Sequence, residues 1–112
     1  MTCEQWDVVV VPFPFTDIDS SKRRPALVLS VSDFNHQGHT VMAMITTSSH
    51  TPWRGDTPIN HEAAGLSAPS TVRLKLFTLD NRLVVRKIGQ LAPQDQRSVG
   101  AELERWLGIG ES

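Results

Sequence analysis

The sequence predicts a mainly β protein, a small and strongly bent antiparallel sheet or barrel covered by one C-terminal helix. Two observations predict this class. Five or six short segments of β-branched or alternating residues are separated by turn formers. Helical spacing of apolar residues appears only near the C terminus, at Val99, Leu103, Trp106 and Leu107. A chain of 112 residues fits one domain, which we expect to span residues 1–112.

Composition excludes several classes of protein. A formal net charge of −1 gives no overall attraction to nucleic acid, so a site for anions has to be a local patch. The single cysteine, Cys3, has no partner for an internal disulfide. No window approaches the roughly 20 apolar residues of a membrane helix, and the first residues lack a secretion signal. We therefore expect a cytoplasmic protein with no membrane partner.

The first two strands flank a polar loop. Trp6 to Val11 is a β-branched run that ends at the prolines of Pro12 to Phe15, which stop strand pairing. Ala26 to Val31 is almost continuously apolar, which indicates a strand buried on both faces. Pro25 has no N–H to give to a ladder and is expected to be the first residue of that strand. The turn formers of Thr16 to Arg23 predict an exposed loop that overhangs Arg24.

Four further strands and the helix follow. The segment from Ser32 to Thr40 contains two histidines whose spacing fits no metal site, so we expect no metal cofactor. The helix is expected to begin near Pro93, which suits a first turn, and to end at Gly108. The predicted strands are Val41 to Thr46, Thr57 to Asn60 within a long excursion, Thr71 to Thr78, and Arg82 to Gly89.

A short basic run leads directly into the second strand. Lys22, Arg23 and Arg24 precede Pro25, so Arg24 is placed at the mouth of a buried strand. Its guanidinium is planar, permanently charged and able to bind phosphate through two parallel hydrogen bonds. The alternative is a solvated basic turn, which is the commoner role of a short charge run.

Other side chains could join Arg24 in binding an anion or a nucleic acid. Thr46, Thr47 and Ser48 place hydroxyl groups at the exit of the third strand, although such residues also decorate ordinary turns. Arg73 and Lys75 lie on the polar face of a later alternating strand. Phe15 could stack on a base, but an aromatic beside a strand end more often fills the core.

The order and spacing of these segments resemble the MazF/PemK-like toxin endoribonucleases of bacterial toxin–antitoxin modules. The resemblance implies an SH3-like barrel, a homodimer, cleavage of single-stranded RNA without a metal or other cofactor, and inhibition by a cognate antitoxin protein. It runs nearly from end to end, through Trp6 to Val8, Pro12 to Phe15, Arg23 to Leu29, Ile45 and Thr46, Pro69 to Arg73, Leu76 to Leu83, and Ile88 and Gly89.

The resemblance also implies roles for individual residues. Arg24 and Thr46 match the family's usual catalytic pair. Some members carry an Arg-x-Asp pattern in the later strand; Arg73 matches it, but Lys75 stands where the carboxylate would be. The carboxylate is then absent, replaced from the loop of Asp17 and Asp19, or unnecessary. The expected RNA-binding residues are Phe15, Lys22, Arg23, Thr47, Ser48, Arg73 and Lys75.

The function that follows is a toxin that cuts messenger RNA at selected sequences by attack of a 2′-hydroxyl, and so stops translation and growth. A rival hypothesis is a non-catalytic binding module of the same fold, which would grip a protein such as a gyrase-like target through an exposed anchor such as Trp53. A third is a decayed toxin that only binds its antitoxin.

Overall fold

The computed structural model describes residues 2–12, 22–48 and 51–110. Its strands are β1 (Asp7–Pro12), β2 (Arg23–Val28), β3 (His39–Thr47), β4 (Thr57–Ile59), β5 (Ser70–Asp80) and β6 (Arg86–Gln90). Its helices are the short α1 (Ser32–Asn35) and the longer α2 (Pro93–Leu107). Neither of these helices could cross a membrane.

The strands form one antiparallel sheet in the order β4-β5-β3-β2-β1-β6. The predicted mainly β architecture with a C-terminal helix is therefore confirmed. β2 lies in the middle of the sheet, and Ala26, Leu27 and Val28 are all 0% exposed. Ala26 and Val28 belong to one apolar cluster and Leu27 to another. The prediction that this strand is buried on both faces is confirmed, and each fully buried Val or Leu contributes about 1.5–3 kcal/mol.

The boundaries of β2 differ from those expected. The strand begins at Arg23 and ends at Val28, because Pro25 pairs with Val10 of β1 while pairing with β3 begins only at Ala26. A missing N–H therefore interrupts one ladder and leaves the other intact. After Val28 the chain turns, and the N–H groups of Leu29 and Ser30 both donate to the carbonyl of Val41.

The last predicted strand is also shorter than expected. Residues Asn81–Leu83 form a 3₁₀ turn, because the Asp80 carboxylate accepts a hydrogen bond from the backbone N–H of Arg82 and caps it. β6 consequently begins at Arg86 rather than at Arg82. At the other end of the molecule Trp6 precedes β1 in a left-handed conformation, with φ of 74°, and is not part of the strand.

The helix α2 covers the β4 edge, and Leu103 in its later turns still packs against the core cluster that contains Ile59 of β4. Asp95 of the helix accepts a hydrogen bond of 2.7 Å from the backbone N–H of Asn60, and Val99 is buried in the core. Gly108 ends the helix in the left-handed conformation, as expected. Trp106 and Leu107, which were expected on the core face, are exposed. The guanidinium of Arg54 instead lies over the Trp106 ring, with its Cζ 5.3 Å from the ring centroid.

The segment between β4 and β5 reaches across to β6 through two glycines. A Cβ on Gly89 would overlap the carbonyl oxygen of Ala64, and a Cβ on Gly65 would overlap the carbonyl oxygen of Ile88. Gly65 also has φ of +79°, which disfavours any side chain. The segment that follows one edge strand, β4, is thus joined to the other edge strand, β6, by backbone packing rather than by a sixth ladder.

We expect Gly89→Ala to lower the free energy of unfolding by about 1–3 kcal/mol, because the new methyl group meets a backbone carbonyl that cannot move aside. Urea denaturation measures the change. The matched control is Gly100→Ala in α2, where a Cβ meets nothing within 4 Å; it should raise stability by about 0.5–1 kcal/mol. Equal effects of the two substitutions would contradict the backbone contact.

Candidate active site

Strand register brings Arg24 and Thr46 together. β2 and β3 pair with Ala26 opposite Met44, and continuing this register by two residues places Arg24 opposite Thr46. Thr46 pairs in turn with Thr71 of β5. Directly opposed residues have Cβ atoms about 5 Å apart and point to the same face of the sheet. The two residues that the sequence resemblance singled out therefore lie side by side at one end of the sheet.

Arg24 and Thr46 line a cleft of about 360 Å³. Both side chains are half-buried, and the Nε of Arg24 is buried without a hydrogen-bond partner among the described residues. A buried donor left in this state costs about 1–3 kcal/mol, which an anion in the cleft would recover. The remaining lining residues are Pro25, Met44, Ile45, Thr47, Ser70 and Arg73.

A second cleft, of about 510 Å³, adjoins the first. Arg24, Pro25, Thr47 and Ser70 line both clefts, so they form one continuous depression. The second cleft adds Arg23, as expected, and Arg86 of β6, which the sequence analysis did not select. The sequence carried no signal for Arg86, because its approach to Arg24 depends on β6 pairing with β1.

Arg73 lines the first cleft but is held by neighbouring groups. Its Nε and Nη2 donate to the two carboxylate oxygens of Asp56 at 3.2 and 3.0 Å, and Nη2 also donates to the carbonyl of Thr51 at 2.8 Å. The guanidinium lies 4.7 Å from the centre of the Trp53 ring. Asp56 also accepts from the backbone N–H of Trp53. The carboxylate beside Arg73 thus comes from the segment before β4, a position that the sequence analysis missed.

A β-bulge separates Lys75 from Arg73. In the β3–β5 ladder Ala43 pairs with Leu76 and Met44 with Arg73, so two residues of β5 have no opposite residue. The Lys75 ammonium lies 5.9 Å from the centre of the Trp53 ring, and Lys75 lines neither of the two clefts. The bulge directs Lys75 towards Trp53, which itself is 47% exposed.

The other expected site residues fall into three groups. Thr47 is exposed and lines both clefts, while the Ser48 hydroxyl pairs with the Thr71 hydroxyl at 3.0 Å. Lys22 is exposed directly before β2. Phe15 and the candidate carboxylates Asp17 and Asp19 lie outside the described residues.

Asp80 and Cys3 have clearly shifted pKa values, and both lie outside the two clefts. Hydrogen bonds from Arg82 lower the pKa of Asp80 to about 2, and Asp80 in turn raises the pKa of Arg82. Burial, followed by the charge of Asp7, raises the pKa of the Cys3 thiol. Within the described part of the chain, no three His, Cys, Asp or Glu side chains are grouped closely enough to hold a metal ion.

We expect Asp56→Ala to lower the free energy of unfolding by about 3 kcal/mol, because it leaves the largely buried charge of Arg73 unpaired. Thermal or urea denaturation tests this. Arg82→Ala is the matched control; it breaks another arginine–aspartate pair, but one in which the arginine is 88% exposed, and the unfolding midpoint should hardly move. A midpoint unchanged in Asp56→Ala would show that the pair with Arg73 is not structural.

Solved structures with the same architecture are bacterial toxins. A MazE–MazF crystal structure from Deinococcus radiodurans superposes with a TM-score of 0.79 at 19% identity, covering 98% of this chain and 100% of that chain. The Mycobacterium tuberculosis toxin MazF-mt6 gives 0.75 at 20% identity, covering 94% and 99%. A mycobacterial endoribonuclease in complex with its cognate antitoxin gives 0.76 at 16% identity, covering 99% and 98%. These likenesses show a common fold.

Sequence comparison goes further than fold. No curated protein matches the chain significantly. The family model for the PemK-like, MazF-like toxin of type II toxin–antitoxin systems matches residues 4–107, which is nearly the whole chain. The chain therefore belongs to the PemK-like, MazF-like toxin family of type II toxin–antitoxin systems.

Proposed function

We propose that this chain is a metal-independent endoribonuclease that cuts single-stranded messenger RNA at selected sequences in the cytoplasm. The observation that carries the proposal is the buried Nε of Arg24, which has no hydrogen-bond partner among the described residues and lies in a cleft beside Thr46. A fixed, unsatisfied guanidinium beside a hydroxyl is suited to a phosphate group. Family membership supports the same reaction.

The proposed reaction is an attack of a ribose 2′-oxygen on the adjacent phosphorus. The bond between this oxygen and phosphorus forms, and the bond from phosphorus to the 5′-oxygen of the next nucleotide breaks. The 2′-hydroxyl loses its proton and the departing 5′-oxygen gains one, which leaves a 2′,3′-cyclic phosphate and a 5′-hydroxyl. Negative charge grows on the non-bridging oxygens in the transition state, where preorganised donors are most effective.

Arg24 and Thr46 supply donors of this kind. The Arg24 guanidinium stays charged, so its roles are to stabilise the phosphorane and to donate a hydrogen bond towards the 5′-oxygen, not to act as an acid or a base. The Thr46 hydroxyl donates to a non-bridging oxygen, and loss of such a donor typically costs about 3 kcal/mol in the transition state. The described residues lining this cleft include no carboxylate and no imidazole. The contribution that we assign to them is electrostatic stabilisation and orientation.

The remaining RNA-binding assignments have different support. Arg23 and Thr47 line the clefts, and Lys22 is exposed at their margin. Ser48 and Trp53 line a third cleft, of about 360 Å³. The Lys75 ammonium lies 5.9 Å from the centre of the Trp53 ring. For Arg73, the hydrogen bonds to Asp56 favour a structural role beside the RNA over direct phosphate binding. The assignment of Phe15 stays a prediction.

The binding-module hypothesis has one specific observation in its favour, the 47% exposure of Trp53. An exposed tryptophan is typical of an anchor in a protein interface. Such a module would need Trp53 and would tolerate the loss of Arg24, whereas the proposed nuclease requires Arg24. A decayed toxin would bind its antitoxin and leave RNA intact.

The purified protein should cleave a mixed single-stranded RNA at full rate in the presence of a chelator and leave cyclic phosphate ends. A substrate with 2′-deoxyribose at the mapped cleavage position should resist, because the attacking oxygen is missing. Gel mapping and mass spectrometry of the ends measure both results. Cleavage of the deoxy substrate, or activity that only a divalent ion restores, would refute this mechanism.

The control for that experiment is the pair Arg24→Ala and Arg24→Lys. Both should abolish or nearly abolish cleavage, since lysine lacks the planar fork that binds two phosphate oxygens. Stability of Arg24→Ala should stay within about 1 kcal/mol of the parent, because the described residues offer this side chain no partner to lose. If Arg24→Ala unfolds the protein, Arg24 is a structural residue and its catalytic assignment loses its support.

We further propose that the chain forms a homodimer and is inhibited by its cognate antitoxin. Related toxins have been crystallised with their antitoxins. A two-fold pair would place two basic clefts on one assembly, and an acidic disordered segment could order along them in competition with RNA.

Sedimentation at micromolar concentration should give a dimer, and saturating antitoxin should weaken RNA binding, because both ligands occupy the same clefts. Fluorescence anisotropy with a labelled RNA measures the competition. A monomer, or an RNA affinity that antitoxin leaves unchanged, would contradict the arrangement without affecting the nuclease assignment.

A further inference from the structure

We infer that the cleft between Arg23, Arg24 and Arg86 binds the phosphate next to the one that is cleaved, and that Arg86 is the residue that positions it. The inference rests on the proposed function, because it takes the ligand of the adjoining cleft to be an RNA strand. It assigns a role to a side chain outside the pair Arg24 and Thr46.

Strand register places Arg86 on the same face as Arg23. Val10 of β1 pairs with Pro25 on one side and with Arg86 on the other. Neighbouring strands lie about 4.8 Å apart, so the backbone of Arg86 is roughly 10 Å from that of Pro25. Arg23 precedes Pro25 by two residues and therefore points to the same face. Two arginines from strands that are not neighbours thus flank one cleft.

The residues that the structure describes around the cleft give it an excess of positive charge. Its described lining contains three arginines and no carboxylate. Arg86 is exposed and makes no ion pair with a described residue. The adjacent Lys87, in contrast, binds the buried carboxylate of Asp7 at 3.1 Å. Of these two cations in β6, one fixes the fold and the other is available to a ligand.

The shape and chemistry of the cleft fit a nucleotide. A volume of about 510 Å³ lies within the usual range of small-molecule sites. Ser67 and Ser70 offer hydroxyl groups, while Leu66 and Ile88 offer apolar surface for a sugar or base. Because Arg24 lines both clefts, a strand held there by one phosphate passes directly into the second cleft.

The wall of the cleft is built before RNA arrives. Gly65 lies in the wall and packs by its backbone against Ile88 and Gly89 of β6. The segment that faces Arg86 is therefore fixed to the strand that carries Arg86. A preformed site loses little conformational entropy on binding, which favours a role in setting the register of the strand over mere attraction.

The test is a phosphate scan of RNA binding. A set of single-stranded oligonucleotides carries 2′-deoxyribose at the mapped cleavage position, to prevent cutting, and one uncharged methylphosphonate at a different linkage in each member. Affinity is measured by fluorescence anisotropy for the parent protein, Arg86→Ala, Arg86→Lys and the control Arg97→Ala. Arg97 is exposed on α2, so its removal takes away the same charge elsewhere.

For the parent protein, neutralising one linkage beside the cleavage position should weaken binding roughly tenfold, as expected for loss of a charge-assisted hydrogen bond. Arg86→Ala should weaken binding to the unmodified strand by a similar factor and lose the sensitivity at that linkage alone. For this variant, the slope of the logarithm of the RNA-binding constant against the logarithm of the salt concentration should be smaller in magnitude by about 0.7. Arg86→Lys should restore part of the affinity, and Arg97→Ala should keep the parent profile.

The inference is overturned if Arg86→Ala keeps the parent's methylphosphonate profile, or if Arg97→Ala weakens binding equally. It is also overturned if Arg86→Ala weakens only the binding of an acidic antitoxin peptide, since the cleft would then serve that protein. Failure of the proposed function would be seen in the cleavage assay, whereas the phosphate scan measures only binding. A protein that cuts no RNA, but whose binding to a strand of one fixed sequence still depends on a single linkage through Arg86, would refute the nuclease and keep Arg86 as a phosphate-positioning residue.

Discussion

Burial of β2 on both faces is the constraint on which the rest of the structure depends. Ala26, Leu27 and Val28 are shared between two apolar clusters, so this strand can neither shift its register nor leave the sheet without exposing both. The same register fixes Arg24 opposite Thr46. A half-buried guanidinium whose Nε has no partner among the described residues is tolerable at this position because the core holds the strand beneath it. The stability of the sheet thus supports the arginine that we propose as the phosphate-binding residue.

The resemblance implied that Lys75 stands where some family members carry a carboxylate, and the structure places a different carboxylate beside Arg73. Asp56 holds that guanidinium in a bidentate pair and also caps the turn at Trp53. Both oxygens of this carboxylate already accept hydrogen bonds from neighbouring groups of the fold. Arg73 and Asp56 are better understood as a clamp that fixes the segment before β4 against β5, which gives the neighbouring cleft a rigid wall.

The spacing of apolar residues and turn formers along the chain was sufficient to predict features that depend only on residues close in sequence. The buried run of β2, the period of α2 and the left-handed end at Gly108 are all local, and each was predicted from sequence. The pairing of Arg24 with Thr46 came from family resemblance. Strand ends were less accurate, since a cap at Asp80 and a proline that interrupts only one ladder depend on which strands are neighbours.

Arg86, Asp56 and the Gly65–Gly89 contact could not be predicted for the same reason. Each depends on sheet order, and no local pattern reveals that β6 lies beside β1 or that the segment after β4 returns to it.

Charge is arranged locally in a molecule that is almost neutral overall. The formal net charge is −1, yet one cleft is lined by three arginines that have no carboxylate partner among the described residues. Elsewhere in the described part of the chain three cations are paired with carboxylates: Lys87 with Asp7, Arg82 with Asp80 and Arg73 with Asp56. A weakly charged surface limits nonspecific attraction to nucleic acid, so an RNA strand would be held where the arginines are unpaired and the cleft has a fixed shape. That division between paired structural cations and unpaired cleft cations favours recognition of a particular strand position over general affinity for polyanions.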